Sequence, residues 1–235
     1  MICQFHDLGT IEYQSAWDLQ NRLATEIARG ERCESLLLLE HPHTYSFGRR
    51  GQPQNLVWNE KELAERGVKV HWVDRGGDVT YHGPGQLVGY PIIKWLGMDH
   101  VGYVRKLEEM LIEALARLGL ACGQIIGKTG VWVQADVASR CPRCRPEDRQ
   151  KPAKIAAIGV KVDANGITRH GFALNVNPDM SYYEGIIPCG IADYPVIGLA
   201  DIFPNPPEMG LVKREVTRAF GEIFDYEMIA VDEKF

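Results

Sequence analysis

The 235-residue chain reads as an α+β protein in which a mixed or antiparallel sheet packs with helices. Three observations carry that prediction. Residues 13–27 and 104–118 each repeat apolar side chains at helical spacing. Two β-rich runs, 154–162 and 167–176, are separated by Ala164-Asn165-Gly166, and Asn-Gly is the pair a tight type I′ hairpin turn prefers. Helical and strand-like segments follow one another without a regular β-α-β rhythm, which argues against a doubly wound parallel sheet.

Taken in order, Tyr13, Ala16, Trp17, Leu23, Ala24 and Ile27 form the apolar stripe of a first helix, and Gly30 supplies its stop. The short apolar run 36–39, ended by Glu40-His41-Pro42, fits a buried strand better than a helix of that length. Val68, Val70 and Trp72 alternate with polar residues as a half-buried strand does. Val104, Leu107, Leu111, Ala114, Leu115 and Leu118 face one way on a second helix that ends at Gly119. The 138–153 stretch is polar, basic and proline-bearing, so an excursion from the core is expected there. After the hairpin, Leu211, Val212, Val216, Ala219, Phe220, Ile223 and Phe224 define a last helix that follows Pro206-Pro207.

A formal charge of -5 provides no general attraction to phosphate backbones, so nucleic acid is not an expected partner. The apolar runs fall short of a membrane span, and the N-terminal residues lack the pattern of a secretory signal. Six scattered cysteines in a chain of this size fit a reducing cytoplasm better than a disulfide framework.

Three stretches concentrate residues that could carry chemistry. In the first, Arg75, Gly76, Gly77, Asp78, Val79, Thr80, Tyr81 and His82 lead into Gly83-Pro84-Gly85-Gln86. Glycines of this density let the backbone approach a ligand, although a glycine-rich hairpin with incidental polar groups has the same composition. In the second, Lys154 enters a strand of small residues that includes Ala156, Ala157, Ile158 and Gly159. Such a lysine either stabilises a nearby anion or reaches water from a strand end. In the third, Pro188 and Gly190 bracket Cys189, downstream of Gly171, Phe172 and Ala173. A cysteine on so constrained a turn can project its sulfur at a substrate, but an isolated cysteine is more often an inert small hydrophobe.

Other features compete for attention. Cys141-Pro142-Arg143-Cys144 has the spacing of half a zinc site, yet no second CxxC or HxxxH completes four ligands. Cys122 and a distant histidine are the candidates to complete such a site, and a redox pair lacks its usual strand-to-helix setting here; no metal site and no redox role is expected, and two solvent-exposed thiols are the simple reading. His41 and His43 flank Pro42 where a strand ends, so they are candidates for the same cleft as the glycine-rich stretch, or ordinary turn histidines.

Taken together, the segments around Glu40-His41-Pro42 and Phe47-Gly48-Arg49-Arg50-Gly51, then 75–92, 154–162 and 170–191, resemble in family order the octanoyltransferases of lipoate biosynthesis, the lipoyl(octanoyl) transferases. The resemblance implies one catalytic domain over 1–235 with the fold of the lipoate and biotin protein ligases. It implies transfer of an octanoyl or lipoyl group from an acyl carrier protein thioester to a lysine of lipoyl domains, those of 2-oxoacid dehydrogenases and the glycine cleavage H protein. Cys189 would carry the acyl group as a thioester, with Lys154 favouring its thiolate. Residues 75–82, 157–159 and 171–173 would line the acyl pocket. Thioester exchange is nearly neutral and amide formation from a thioester is downhill, so no ATP and no other cofactor is expected.

The 138–153 stretch departs from that family, being longer and richer in cysteine and arginine than the resemblance leads one to expect. Arg49, Arg50, Arg140, Arg143, Arg145 and Arg149 are candidates to face an acidic carrier, although a solvated charge run accounts for the last four. Three other readings differ in what they require. An ATP-dependent lipoate or biotin ligase needs nucleotide and no cysteine nucleophile. An amidotransferase moving lipoyl groups between domains differs in its donor. A non-catalytic zinc-binding interaction protein would hold stoichiometric metal and form no acyl-enzyme.

Overall fold

The computed structural model describes residues 1–97, 99–188 and 194–232. Among them the chain runs β1 (Ile2–Thr10), α1 (Tyr13–Ala28), β2 (Glu34–Glu40), β3 (Thr44–Phe47), α2 (Glu60–Glu65), β4 (Lys69–Trp72), β5 (Val79–His82) and β6 (Gln86–Ile92). It continues through α3 (His100–Arg117), β7 (Gly123–Ile125), β8 (Lys128–Val133), α4 (Ala135–Ala138), β9 (Ala153–Val162), β10 (Thr168–Asn175), α5 (Met209–Phe224) and β11 (Glu227–Ala230). An eight-stranded sheet has the order β11-β1-β2-β6-β10-β9-β8-β7, and a three-stranded sheet the order β4-β3-β5. In the large sheet β1 runs parallel to both neighbours, and every pairing from β2 onward is antiparallel. The sheet is therefore mixed, as the missing β-α-β rhythm predicts.

Each face of the large sheet buries a helical layer. On one, α3 and α5 bring Leu107, Leu111, Leu115, Val212, Val216 and Phe220 against Leu36, Leu38, Ile155, Ala156 and Leu174. On the other, α1 lays Ala16, Leu19, Leu23 and Ile27 over Leu37, Leu39, Val88, Tyr90 and Ala173. The consecutive leucines of β2 serve both layers, which is why that strand reads as an unbroken apolar run. Tyr45, Phe47, Trp58, Val79, Tyr81 and Ile186 make a third, smaller core under the three-stranded sheet.

Several local expectations need correction. Trp17 is only half-buried, while Leu19 and Gln20 join the buried stripe of α1. Trp72 is 54% exposed, because β4 is an edge strand and Trp72 stacks on Phe47 from outside. The β9–β10 turn is not type I′, since Gly166 alone has a positive φ (76°) and Asn165 does not. The carboxylate of Asp163 instead accepts the N–H groups of Asn165 and Ile167, and Gly166 takes the left-handed position that closes the loop. The excursion at 138–153 is tied to the core by Ala138 and Cys141, which are 0% and 1% exposed. Among the described residues no helix is long and apolar enough to cross a membrane.

Candidate active site

A cleft of about 780 Å³ wraps the edge of β9 that β8 leaves unpaired. Pairing between these strands runs from Val133 opposite Ala153 only as far as Val131 opposite Ala156. Beyond that point the edge is met by the glycine-rich stretch, where the Gly76 N–H donates to Val160 O at 2.8 Å. Gly159 permits the approach: a Cβ there would lie 3.0 Å from Gly76 O and 3.1 Å from Arg75 Cδ.

A bulge sets which side chains face the cleft. Trp132 pairs with Lys154 and Val131 with Ala156, so two residues of β9 span one step of β8. Ile155 and Ala156 consequently both enter the core, while Lys154 lies on the face of Ala157 and Gly159, and the cleft wraps the edge so that Ile158 and residues 160–162 line it as well. Lys154 is 9% exposed, with its Nζ 4.9 Å from the centre of the Trp132 ring. Across the strand pair, Gly159 faces Gly171, Ile158 faces Phe172 and Ala157 faces Ala173. These pairs leave room along the strands because four of the six side chains are no larger than a methyl group.

The β5 strand alternates as its period of two requires. Thr80 and His82 line the cleft with Arg75, Gly76, Gly77 and Asp78. Val79 and Tyr81 do not: both are fully buried in the small core on the opposite face. Their assignment to the acyl pocket is corrected accordingly. Asp78 is used locally, accepting from the Gln52 N–H at 3.1 Å and from the Asn55 amide.

Beneath the cleft runs a continuous buried network. Arg75 donates through Nη2 to the Ser46 hydroxyl (3.1 Å) and through Nη1 to Gly76 O (2.9 Å). Ser46 Oγ lies 3.0 Å from His82 Nε2, and His82 Nδ1 lies 3.0 Å from Gln86 Oε1. Because the amide oxygen can only accept, Nδ1 carries the proton and Nε2 accepts from Ser46. Gln86 then donates to Asn175 Oδ1 (2.8 Å), and Asn175 donates to Ile197 O (3.1 Å). Burial, reinforced by His41 and Arg75, pushes the His82 pKa well below its ordinary value, so the ring is neutral. Among the described residues no carboxylate forms an ion pair with Arg75, leaving a positive charge fixed at the cleft wall.

Asp74 and His170 make a second cluster. His170 has φ 57°, which turns its ring toward Trp17 and Tyr90, and its Nε2 donates to Asp74 at 2.8 Å. Lys161 pairs with the other oxygen of Asp74. The His170 contact, helped by Lys161, holds that carboxyl well below the usual range. His41 and His43 do not line the cleft. His41 is fully buried behind it, donating to Ile11 O and accepting from Tyr90, and burial lowers its pKa to about 4. His43 stacks on Tyr182.

Cys189 lies outside the described residues, but both of its flanks are anchored. Before it, Ile187 N–H donates to Asn55 O and Ile186 bridges Leu56, tying that flank to the segment between β3 and α2. After it, Lys154 N–H donates to Pro195 O and Ile197 N–H donates to Lys154 O, each at 2.9 Å. The second flank is thus bonded directly to the backbone of Lys154. Tyr13, Ser46, Asp74, Tyr90, Trp132 and Asn175 complete the surroundings. Tyr13 belongs to the stripe of the first helix, and Tyr90 and Asn175 lie inside segments that carry the family resemblance, but neither signal gives them a role; Ser46, Asp74 and Trp132 reach the site only through strand pairing and loop packing. Among the described residues no cluster of three metal-binding side chains exists.

Residues 12–221 match the family described as the lipoyl protein ligase A/B catalytic domain. An octanoyltransferase of Chloroflexus aurantiacus is 46% identical over 224 residues, covering 94% of each chain. One of Solibacter usitatus is 41% identical over 230 residues, covering 97% of this chain and 95% of that one. Among solved structures, a putative lipoate protein ligase of Thermoplasma acidophilum with bound lipoic acid superposes with a TM-score of 0.71 at 16% identity, over 98% of this chain and 89% of its own. A lipoate-protein ligase A bound with ATP gives 0.70 at 15% identity, over 99% and 90%. At those identities the structural likeness speaks for the fold, and the close relatives speak for the family. The chain belongs to the octanoyltransferases, acyltransferases built on the lipoyl protein ligase A/B catalytic domain.

Proposed function

We propose that the protein, acting as one catalytic domain in the cytoplasm, moves an octanoyl or lipoyl group from an acyl carrier protein thioester, through Cys189, to a lysine of lipoyl domains. The acceptors on this reading are the lipoyl domains of 2-oxoacid dehydrogenases and the glycine cleavage H protein. The observation that carries it is the backbone pairing of Lys154 with Pro195 and Ile197, which ties the cation to the chain that leaves Cys189.

In the first step the Cys189 thiolate, favoured by the Lys154 ammonium, attacks the donor carbonyl. The carbonyl re-forms as the carrier sulfur departs and takes up a proton. In the second, the acceptor amine attacks the Cys189 thioester, an amide forms, and the amine's proton ends on the released Cys189 sulfur. Both steps pass through an oxyanion. Arg75, fixed by Ser46 and Gly76, supplies positive potential at the cleft wall, and the glycine-rich backbone at Gly77 and Gly159 supplies candidate N–H donors.

The small pairs Ala157/Ala173 and Gly159/Gly171 support an apolar slot for a medium chain, each buried methylene contributing about 0.8 kcal/mol. Arg49, Arg50 and Lys128 around the cleft support an acidic protein as the donor's carrier.

The test is intact mass after exposure to an octanoyl thioester without nucleotide. Wild type is expected to gain one labile octanoyl group that Cys189→Ser abolishes, and acceptor domain should then discharge it. A strict ATP requirement, or an adduct at another cysteine, overturns the reading.

A further inference from the structure

The Cys141-Pro142-Arg143-Cys144 turn plays no part in the reaction above, yet its two sulfurs are not at the open surface. Cys141 is 1% exposed and belongs to the main core, and Cys144 is half-buried against it. Their Sγ atoms lie 2.6 Å apart, and the Cys144 N–H donates to Cys141 Sγ at 3.2 Å. Arg149 holds the turn closed from outside, donating to Cys144 O (3.0 Å) and Pro142 O (3.1 Å). Among the described residues no group of three metal-binding side chains gathers here.

The turn also grips the chain beyond Cys189. Arg143 Nε donates to Asp201 Oδ1 at 2.6 Å, and the other carboxylate oxygen accepts the Gly198 N–H at 2.7 Å. Asp201 is 7% exposed, so Arg143 is the cation that compensates a nearly buried carboxylate. Gly198 follows Ile197, whose N–H and C=O bond to Lys154 and Asn175. A short path of hydrogen bonds therefore joins the cysteine pair to the strand that carries Lys154.

We propose that Cys141 and Cys144 form a reversible dithiol–disulfide site that fastens the Arg143–Asp201 anchor when oxidised. The step is exchange with a low-molecular-weight disulfide: both S–H bonds break, one S–S bond forms, and two electrons and two protons convert the oxidant to two thiols. The direction of the Cys144 pKa agrees with this: burial and the neighbouring sulfur push it up to about 12. Depressed thiol pKa values stabilise the reduced form of oxidising CxxC pairs, and a raised value shifts the balance toward the disulfide. The pair is thus a disulfide acceptor and not a catalyst of exchange, matching its position after a helix end instead of at a helix N-terminus.

The experiment equilibrates the full-length protein in buffers of increasing oxidised-to-reduced glutathione ratio, quenches with acid, labels free thiols and maps them by peptide mass. Labels at Cys141 and Cys144 are expected to vanish together as a cross-linked peptide lighter by two hydrogens appears. Cys141→Ser should replace the cross-link with a glutathione adduct at the half-buried Cys144, and Cys144→Ser should leave the buried Cys141 a free thiol. Hydrogen exchange at 194–201 should slow on oxidation in wild type only. Two free thiols at every ratio, a pairing with Cys122 or Cys189, or unchanged exchange at 194–201 would overturn the proposal. The double serine variant should retain acyl transfer in reducing buffer, so these outcomes stand apart from any failure of the transfer reaction itself.

Discussion

Replacing Ala157 with leucine probes the acyl slot directly. Ala157 sits on the unpaired edge of β9, faces Ala173 across the strand pair and lines the cleft. Side chains directly opposite in an antiparallel pair have Cβ atoms about 5 Å apart, so three added carbons project along the slot without entering the main core. If they displace the last two methylenes of an octanoyl chain, the loss is about 1.6 kcal/mol at roughly 0.8 kcal/mol each. With tenfold per about 1.4 kcal/mol, kcat/KM for octanoyl transfer falls by roughly 15-fold. A hexanoyl thioester, which ends short of the obstruction, should keep its rate. The assay is the ratio of kcat/KM for octanoyl and hexanoyl donors, with the melting temperature measured alongside. Equal losses for both donors at unchanged stability would refute the slot and leave Ala157 a mere neighbour of the site.

Lys154→Ala should slow formation of the acyl-enzyme by about 10²–10³-fold, with partial recovery as pH rises if the lysine acts by favouring the thiolate; a pH-independent loss argues for a positioning role. Acid should destabilise the fold through His41, whose pKa is about 4 in the native state against the ordinary 6.5. The unfolded chain binds the extra proton between those values, so stability is full above about pH 6.5. It declines toward pH 4 by about 3 kcal/mol from this group, and a denaturant midpoint that stays flat from pH 7 to 4.5 would contradict it. Gly171→Ala should lower the melting temperature sharply, because its Cβ would stand 2.1 Å from Gly89 O and 2.8 Å from Pro91 Cδ. Gly123→Ala, with nothing within 4 Å, is the control and should fold normally.

Much of the fold followed from periodicity because helices and buried strands advertise themselves locally. The α1, α3 and α5 stripes, the leucine run of β2 and the β9–β10 hairpin are each written within about twenty residues. The strands β1, β7, β8 and β11 were not apparent: β7 and β11 are short edge strands, and β1, though nine residues long, takes its place from partners distant in the chain, as when Ile2 pairs with Glu227. The turn at Asn165-Gly166 misled for a related reason. The pair favours a type I′ geometry in isolation, but the Asp163 carboxylate offers the backbone a competing cap that a two-residue rule does not count.

The site was readable as a set of segments and not as a set of faces, and the difference lies in strand parity. Treating residues 75–82 as one loop makes all six of its side chains available to a ligand. Once Val79–His82 is a strand, period two sends Val79 and Tyr81 to the small core and leaves Thr80 and His82 at the cleft. In β9 the same rule, applied without the bulge, would set Lys154 on the face of Ala156 and Ile158 and away from Ala157 and Gly159. The extra residue at Ile155 reverses that parity and brings the lysine onto the side of the small residues. At His170 the positive φ performs a similar service, turning a ring toward α1 and Asp74. Each departure from ideal geometry costs the sheet some regularity, and each aims a polar side chain into the cleft. A residue added to or removed from β9 between Lys154 and Ala157 should therefore abolish acyl transfer while most of the fold persists.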